Sequence, residues 1–498
     1  MKKLIFLLIT TLSTQFTFAF CGFYVAQADA KLFNKTSEVI IARQGEQTVV
    51  TMSSDFEGAV KDFAMVVPVP EVPTREMIRV ADPNIFGKLD AYSGPRIVEY
   101  YDDDPCAEDY YEDDWGGFDD SEDSFDAAPD DFEEETDKKN KVTIKARYSV
   151  GEYDIVILSA KESGGLVNWL TSNGYKIPEK AKRLLSPYIR NGMFFFVVKV
   201  NLDKVSGEKQ ALSPIQLTYN SDRFMLPIRL GMANANQDQD MLVYAFSDRG
   251  RIECTNYRTV EIPTDVRVPE FAADTFAYFY NDLFNKSWKD AGENVVMTEY
   301  AWDLDADNFT KCDPCATTPP NYAELREAGV FWLESHPQTG WRGCDYEGDL
   351  HFTRLHVRYR TETFPQDLMF QATPDKDPFQ GRYVVHRVPD SYFDCKEGQQ
   401  YLQELIRARK KELTTMEELT DWNRDDFEGY AYAYSSFMEK APWLERNKDE
   451  KKRNFWFVWL GNFFPRVPVF VWILTLSMLL LLLIWQKKRS IQYLFALK

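Results

Sequence analysis

The sequence predicts an α+β fold, a mainly antiparallel β-sheet ectodomain with helical insertions, followed by one C-terminal transmembrane helix. Three observations lead there. Strand-like and helix-like segments come in blocks instead of alternating strictly. Of the 498 residues, 44% are apolar and 15% aromatic, enough for a large core and too many for a disordered or collagen-like chain. Residues 467–485 form an apolar run without a charge. The length allows about two to three domains, and no repeat of solenoid period is visible.

The segments follow in order. Val39, Ile40, Ile41 and Ala42, then Thr48, Val49, Val50, Thr51 and Met52, read as two strands of a hairpin with Gly45 in the turn. Residues 63–67 are a continuous apolar run, which Pro68 and Pro70 are expected to end. Residues 142–150 and 153–158 read as strands joined through Gly151 and Glu152. Ser163 is placed to cap a helix bearing Leu166, Val167, Trp169 and Leu170, with Gly174 to stop it. Pro178 suits the first turn of a second helix with Leu184, Leu185, Tyr188 and Ile189 on one stripe. Strands are expected at 193–200, 216–219, 224–230, 241–246 and 251–256, the last two linked by a tight turn at Asp248, Arg249 and Gly250. Residues 273–288 read as an aromatic-rich helix, and residues 398–422 as a long amphipathic one. Between them, residues 351–360 alternate: Thr353, Leu355, Val357 and Tyr359 face one way, Arg354, His356, Arg358 and Arg360 the other.

The two ends suggest a compartment. Lys2 and Lys3, the apolar residues 4–9, and small residues at Thr17 and Ala19 describe a signal peptide over 1–19. Cys21 invites a lipoprotein reading, but Phe20 stands where lipid modification needs a small residue. Residues 467–485 reach about 28 Å as a helix, enough for a bilayer core. Trp472 and Trp485 suit interfacial anchors, and Lys487, Lys488 and Arg489 follow as a stop-transfer signal. Arg446, Lys448, Lys451, Lys452, Arg453 and Arg466 precede the run and outnumber those three, so the positive-inside rule alone reads as ambiguous or reversed. The signal peptide decides the orientation. The expected organisation is an ectodomain over 20–390, a helical and juxtamembrane region over 391–466, the membrane helix and a cytoplasmic tail over 486–498.

Net charge is −20, from 58 basic and 78 acidic residues, which disfavours nucleic acid as a partner. Between Asp102 and Asp137 stand 19 acidic residues and no basic one, so the remainder carries 58 basic against 59 acidic. The charge belongs to one tract. A disordered insertion over 101–140 is expected there, either a weak calcium-collecting tract or, through Tyr110, Tyr111, Trp115, Phe118, Phe125 and Phe132, a sticky segment for a basic partner.

Several segments together resemble a bacterial family, the domain of unknown function 2330. They are Cys21-Gly22-Phe23-Tyr24-Val25, Ala30-Lys31-Leu32-Phe33-Asn34, residues 63–70, residues 170–178 running into Pro187-Tyr188-Ile189, and Met225-Leu226-Pro227-Ile228-Arg229-Leu230-Gly231. Thr255-Asn256-Tyr257-Arg258-Thr259, residues 298–303, Cys312-Asp313-Pro314-Cys315 and Phe379-Gln380-Gly381-Arg382-Tyr383 continue the series. The resemblance spans roughly 21–387 and implies a secreted or envelope protein. It implies no activity.

Chemistry is sparsely marked. Cys21, Cys106, Cys254, Cys312, Cys315, Cys344 and Cys395 favour disulfides in an oxidising compartment, and an odd count leaves one over. Cys254, sharing strand parity with Ile252, is the expected free thiol. Cys312 and Cys315 have redox spacing, but Thr317, Thr318, Pro319 and Pro320 discourage the helix that would activate Cys312. A structural bridge between Cys312 and Cys315 is therefore expected, and zinc lacks histidine partners. Asp303, Asp305 and Asp307 alternate as in a calcium loop, yet Asn308 and Pro314 break the EF-hand template. A solvated acidic loop is the expectation there, and an irregular calcium site the alternative. His356 among three arginines could bind an anion, but an exposed strand face paired with acidic neighbours is the plainer reading. No Gly-x-Ser-x-Gly, Walker-A, dinucleotide or His-Glu-x-x-His motif is present. Two functions remain: a non-enzymatic, membrane-tethered ectodomain binding an envelope protein, glycan or cation, or an envelope enzyme, either a thiol oxidoreductase at Cys312 and Cys315 or a hydrolase without a recognisable motif.

Overall fold

The computed structural model of the chain describes residues 23–26, 37–55, 63–107, 135–137, 142–173, 179–200, 211–233, 238–304, 318–337 and 344–437. They divide into two compact units, one drawn from Met1–Tyr100 and Asp113–Val385, the other from Tyr101–Glu112 and His386–Lys498.

The first unit carries two large sheets. In the nine-stranded one, the spatial order is Arg258–Glu261, Val295–Asp303, His351–Tyr359, Gln239–Ser247, Ser37–Gln44, Gln47–Asp55, Ala211–Asn220 and Ile78–Val80, with Phe379–Gln380 beside Val295–Asp303. Gln239–Ser247 lies parallel to Ser37–Gln44, and Arg258–Glu261 parallel to Val295–Asp303; the other pairs in this sheet are antiparallel. The fold is thus α+β and mainly antiparallel, as expected, with these two parallel pairs making the larger sheet mixed. The six-stranded sheet runs Phe23–Ala26, Phe63–Val69, Phe194–Val200, Tyr153–Ala160, Val142–Val150 and Glu135–Asp137.

Alternation puts one apolar face of each sheet against the other. Val39, Ile41, Val243 and Leu355 from the larger sheet meet Val67, Ile155, Phe196 and Val198 from the smaller. The outer face of the smaller sheet is covered by helices Ser163–Ser172 and Glu179–Arg190 through Leu166, Leu170, Leu185 and Tyr188. The outer face of the larger sheet receives Ile85, Phe86 and Leu89 of helix Asn84–Ser93 on Ile40, Tyr244 and Phe352. Helix, sheet, sheet, helix is the layering of this unit.

Most expected elements form, and the exceptions have local causes. The first hairpin turns at Gly45, whose φ is 59°. Pro68 does not end its strand. It stays in register opposite Phe195, and a strand tolerates a proline where the missing N–H is not required for pairing. Glu162, not Ser163, occupies the N-cap of its helix, without a capping bond. Only Met225–Leu226 of the expected strand over 224–230 pairs, and after the turn at 248–250 Ile252–Cys254 joins Leu368–Ala372 instead of folding back. The aromatic helix is interrupted at Thr275, between Phe271–Asp274 and Phe276–Asp290.

The second unit centres on helix Lys396–Thr420, which ends where Asp421 takes φ 64°. Cys395 caps its start and is disulfide-bonded to Cys106. Asp102 accepts from His386 and Tyr401 at 2.7 and 2.8 Å. The segment expected to be disordered over 101–140 therefore has ordered flanks, since Glu135–Asp137 also pairs as a strand in the first unit; residues 108–134 lie outside the described residues. So do the expected signal peptide, Cys21, Gly174, Pro178, and residues 467–485. Among the described residues no helix is long and apolar enough to cross a membrane.

For the site, four elements of the first unit matter: β1 (Gln239–Ser247), α1 (Phe276–Asp290), β2 (Val295–Asp303) and β3 (His351–Tyr359).

Candidate functional site

β3 lies between β1 and β2, and its register sets Arg354 opposite Tyr244 and Tyr300, and His356 opposite Leu242 and Met297. The alternation read from the sequence is correct, but the charged face is not exposed. Arg354 is 5% accessible, and His356 and Arg358 are largely covered by α1. Phe284 of that helix stacks on His356 at 3.9 Å and lies 4.9 Å from the Arg358 guanidinium.

The acidic partners come from both neighbouring strands. On β2 the pairing passes from Thr298 with Leu355 to Tyr300 with Arg354, leaving Glu299 as an extra residue. Such a bulge lets two consecutive residues serve one face. Tyr300 packs on Tyr92 and Phe352, while Glu299, fully buried, turns to the charges. Its Oε2 accepts from Arg354 Nε at 2.6 Å, and its Oε1 meets His356 Nδ1 at 2.7 Å and accepts from the Tyr280 hydroxyl. Asp240 on β1 accepts both arms of Arg358 at 2.8 Å and faces His356 Nε2 at 3.3 Å. Arg354 also donates to Asp90 at 2.7 Å.

Both ring nitrogens of His356 face carboxylates, so the imidazolium is the form that fits. Burial works against that charge, but Glu299 and Asp240 prevail and raise its pKa. Burial likewise opposes the Glu299 carboxylate, yet Arg354 and His356 hold it down at about 2. Three cations and three carboxylates (Arg354, His356, Arg358; Glu299, Asp240, Asp90) balance. The cluster gives each oxygen of Glu299 and Asp240 a protein donor. It can fix three strands and a helix in one arrangement.

A second cluster ends the same strands. His351, 1% accessible, pairs with Asp303 and its Nδ1 lies 2.8 Å from Asp303 Oδ1. Lys376 Nζ reaches Asp303 Oδ2 at 3.2 Å. Both oxygens of Asp303 are therefore engaged by protein donors; Asp305 and Asp307 lie outside the described residues. Among the described residues no group of His, Cys, Asp or Glu is arranged to hold a metal ion. Between the sheets, Met52, Val67, Val69, Leu217 and Leu226 line a cavity of about 20 Å³, room for about one water.

A third cluster gathers segments far apart in the chain. Tyr188 donates to Asp367 at 2.6 Å, Arg229 Nε to the same carboxylate at 2.9 Å, and Asn256 Nδ2 to the Asp367 carbonyl at 2.8 Å. Those donors lie in three of the segments that carry the family resemblance. The model of the family described as an uncharacterized protein conserved in bacteria, DUF2330, matches residues 16–371. The chain belongs to the DUF2330 family. No curated protein and no solved structure matches it. The DUF2330 match takes in Asp240, Glu299, His351, His356 and Asp367, while Lys376 of the second cluster lies just beyond it.

Cys312 and Cys315 lie outside the described residues. Cys254 is buried and free, as its strand parity suggests, and burial pushes its thiol up. Cys344 is also free and buried, its thiol donating to the Tyr346 carbonyl. Sequence reasoning missed Glu299 as the hub. The available signal was Glu299 as the one charge among residues 295–302 of β2.

Proposed function

We propose that this DUF2330 protein is a non-enzymatic binding or structural protein of the bacterial cell envelope, tethered by one membrane helix at 467–485 with the sheet unit outside the cytoplasm. The observation that carries the reading is the Cys106–Cys395 disulfide, because such bonds persist mainly in oxidising compartments. The signal-like residues 1–19 and the charge-free run at 467–485 agree with it. The saturated charge cluster favours a scaffold over a catalyst. The partner is of envelope chemistry, a protein or a glycan.

Alkaline phosphatase, active only outside the cytoplasm, tests the placement. A fusion after Asp449 should be active and one after Lys498 inactive. The opposite pattern would remove the single-anchor reading.

A further inference from the structure

We infer that His351 is an acid-triggered latch: one proton taken up at Nε2 loosens the hold of β3 on the end of β2. The neutral ring is fixed by its surroundings. Asp303 accepts from Nδ1 at 2.8 Å, which keeps the imidazole hydrogen on that nitrogen and leaves a lone pair on Nε2. Nε2 is buried and has no hydrogen-bond partner among the described residues. A proton arriving there creates a charged donor without an acceptor, inside a medium where burying an unpaired charge is costly.

The neighbouring charges do not compensate. From β2 comes Asp303, whose other oxygen is shared with Lys376 of the loop after Leu368–Ala372. Lys376 also faces Asp349, at 3.7 Å, just before β3. From the segment entering Ile252–Cys254 comes Arg251, tied to Glu261 at 2.5 Å and Asp375 at 3.5 Å. β1 presents only Ser247 opposite His351, and its hydroxyl donates to the Gly250 carbonyl at 2.6 Å. Burial first, then Arg251 and Lys376, outweigh Asp303, and the imidazole's pKa falls below its ordinary 6.5. The sign follows. A histidine depressed in the folded state binds fewer protons than in the unfolded chain, so stability is complete above 6.5 and declines as pH drops below it. His356, on the same strand five residues on, is bracketed by carboxylates and shifts the other way.

The test uses the full chain in detergent. With four histidines in all, their Cε1–H signals can be assigned by single substitutions and titrated by NMR. His351 should titrate with its midpoint below 6.5. Thermal melts from pH 7.5 to 4.5 should fall in the unaltered chain by on the order of 2–4 °C for each unit by which that midpoint is depressed. His351→Asn, which keeps a donor near Asp303 and cannot ionise, should lack that part of the acid decline. A midpoint at or above 6.5 would overturn the latch, and so would an undiminished acid decline in His351→Asn. Should that variant fail to fold, the titration of the unaltered chain decides alone.

Discussion

Removing the charge of Glu299 while keeping its shape separates what the cluster does from what it resembles. In Glu299→Gln, Arg354 at 5% exposure keeps Asp90 but loses its fully buried partner, and His356 retains only Asp240. Breaking a buried pair on one side costs about 3–5 kcal/mol, so the variant's melting temperature should fall steeply; an unchanged melt would show the network is not closed. His356→Gln should cost less near neutral pH and should change the alkaline side. His356 is raised in the fold, so its contribution is complete below 6.5 and is lost as pH climbs through its folded value. The variant's melting curve should therefore be flatter than the parent's between pH 7 and 9. The charged alternation of β3 was readable from residue order alone. Its burial was not, because the covering side chains sit some seventy positions earlier, and nothing in β3 names them.

Helix α1 supplies that cover, and its own spacing explains how. Phe279, Leu283, Phe284 and Trp288 fall on one stripe and are buried. Phe284→Ala would delete the ring stacked on His356 and open a path for water to the charges. A loss of about 3–5 kcal/mol is expected from the cavity, read as a lower denaturant midpoint; a loss under about 1 kcal/mol would mean α1 is not the seal. Elements with strong periodicity (the first hairpin, β3, the long helix Lys396–Thr420) were legible because one pattern decides them. Pro68 misled because a proline's tolerance in a strand depends on how the neighbouring strands pair around it, which one strand's own sequence does not state. The bulge at Glu299 was invisible for a related reason: it is a mismatch between two strands, and no single strand encodes it.

At the scale of the whole chain, Cys106 and Cys395 are 289 positions apart, yet both belong to the second unit. In the unfolded chain the bond closes a loop of that length, so reduction should cost at or above the upper end of the usual range of about 2–4 kcal/mol, read as a lower melting temperature. The same bond reports on the compartment without purification. Cells treated with acid and a membrane-permeant maleimide trap thiols in the state they held in vivo. In denatured chains handled this way, Cys106 and Cys395 should acquire label only after a reductant, as expected for a protein placed outside the cytoplasm. Cys254 serves as the internal control: buried and with its thiol pushed up, it should label without reductant once the chain is denatured, and scarcely at all before. Labelling of Cys106 and Cys395 in denatured chains without any reductant would place them as thiols in the cell and count against an envelope location.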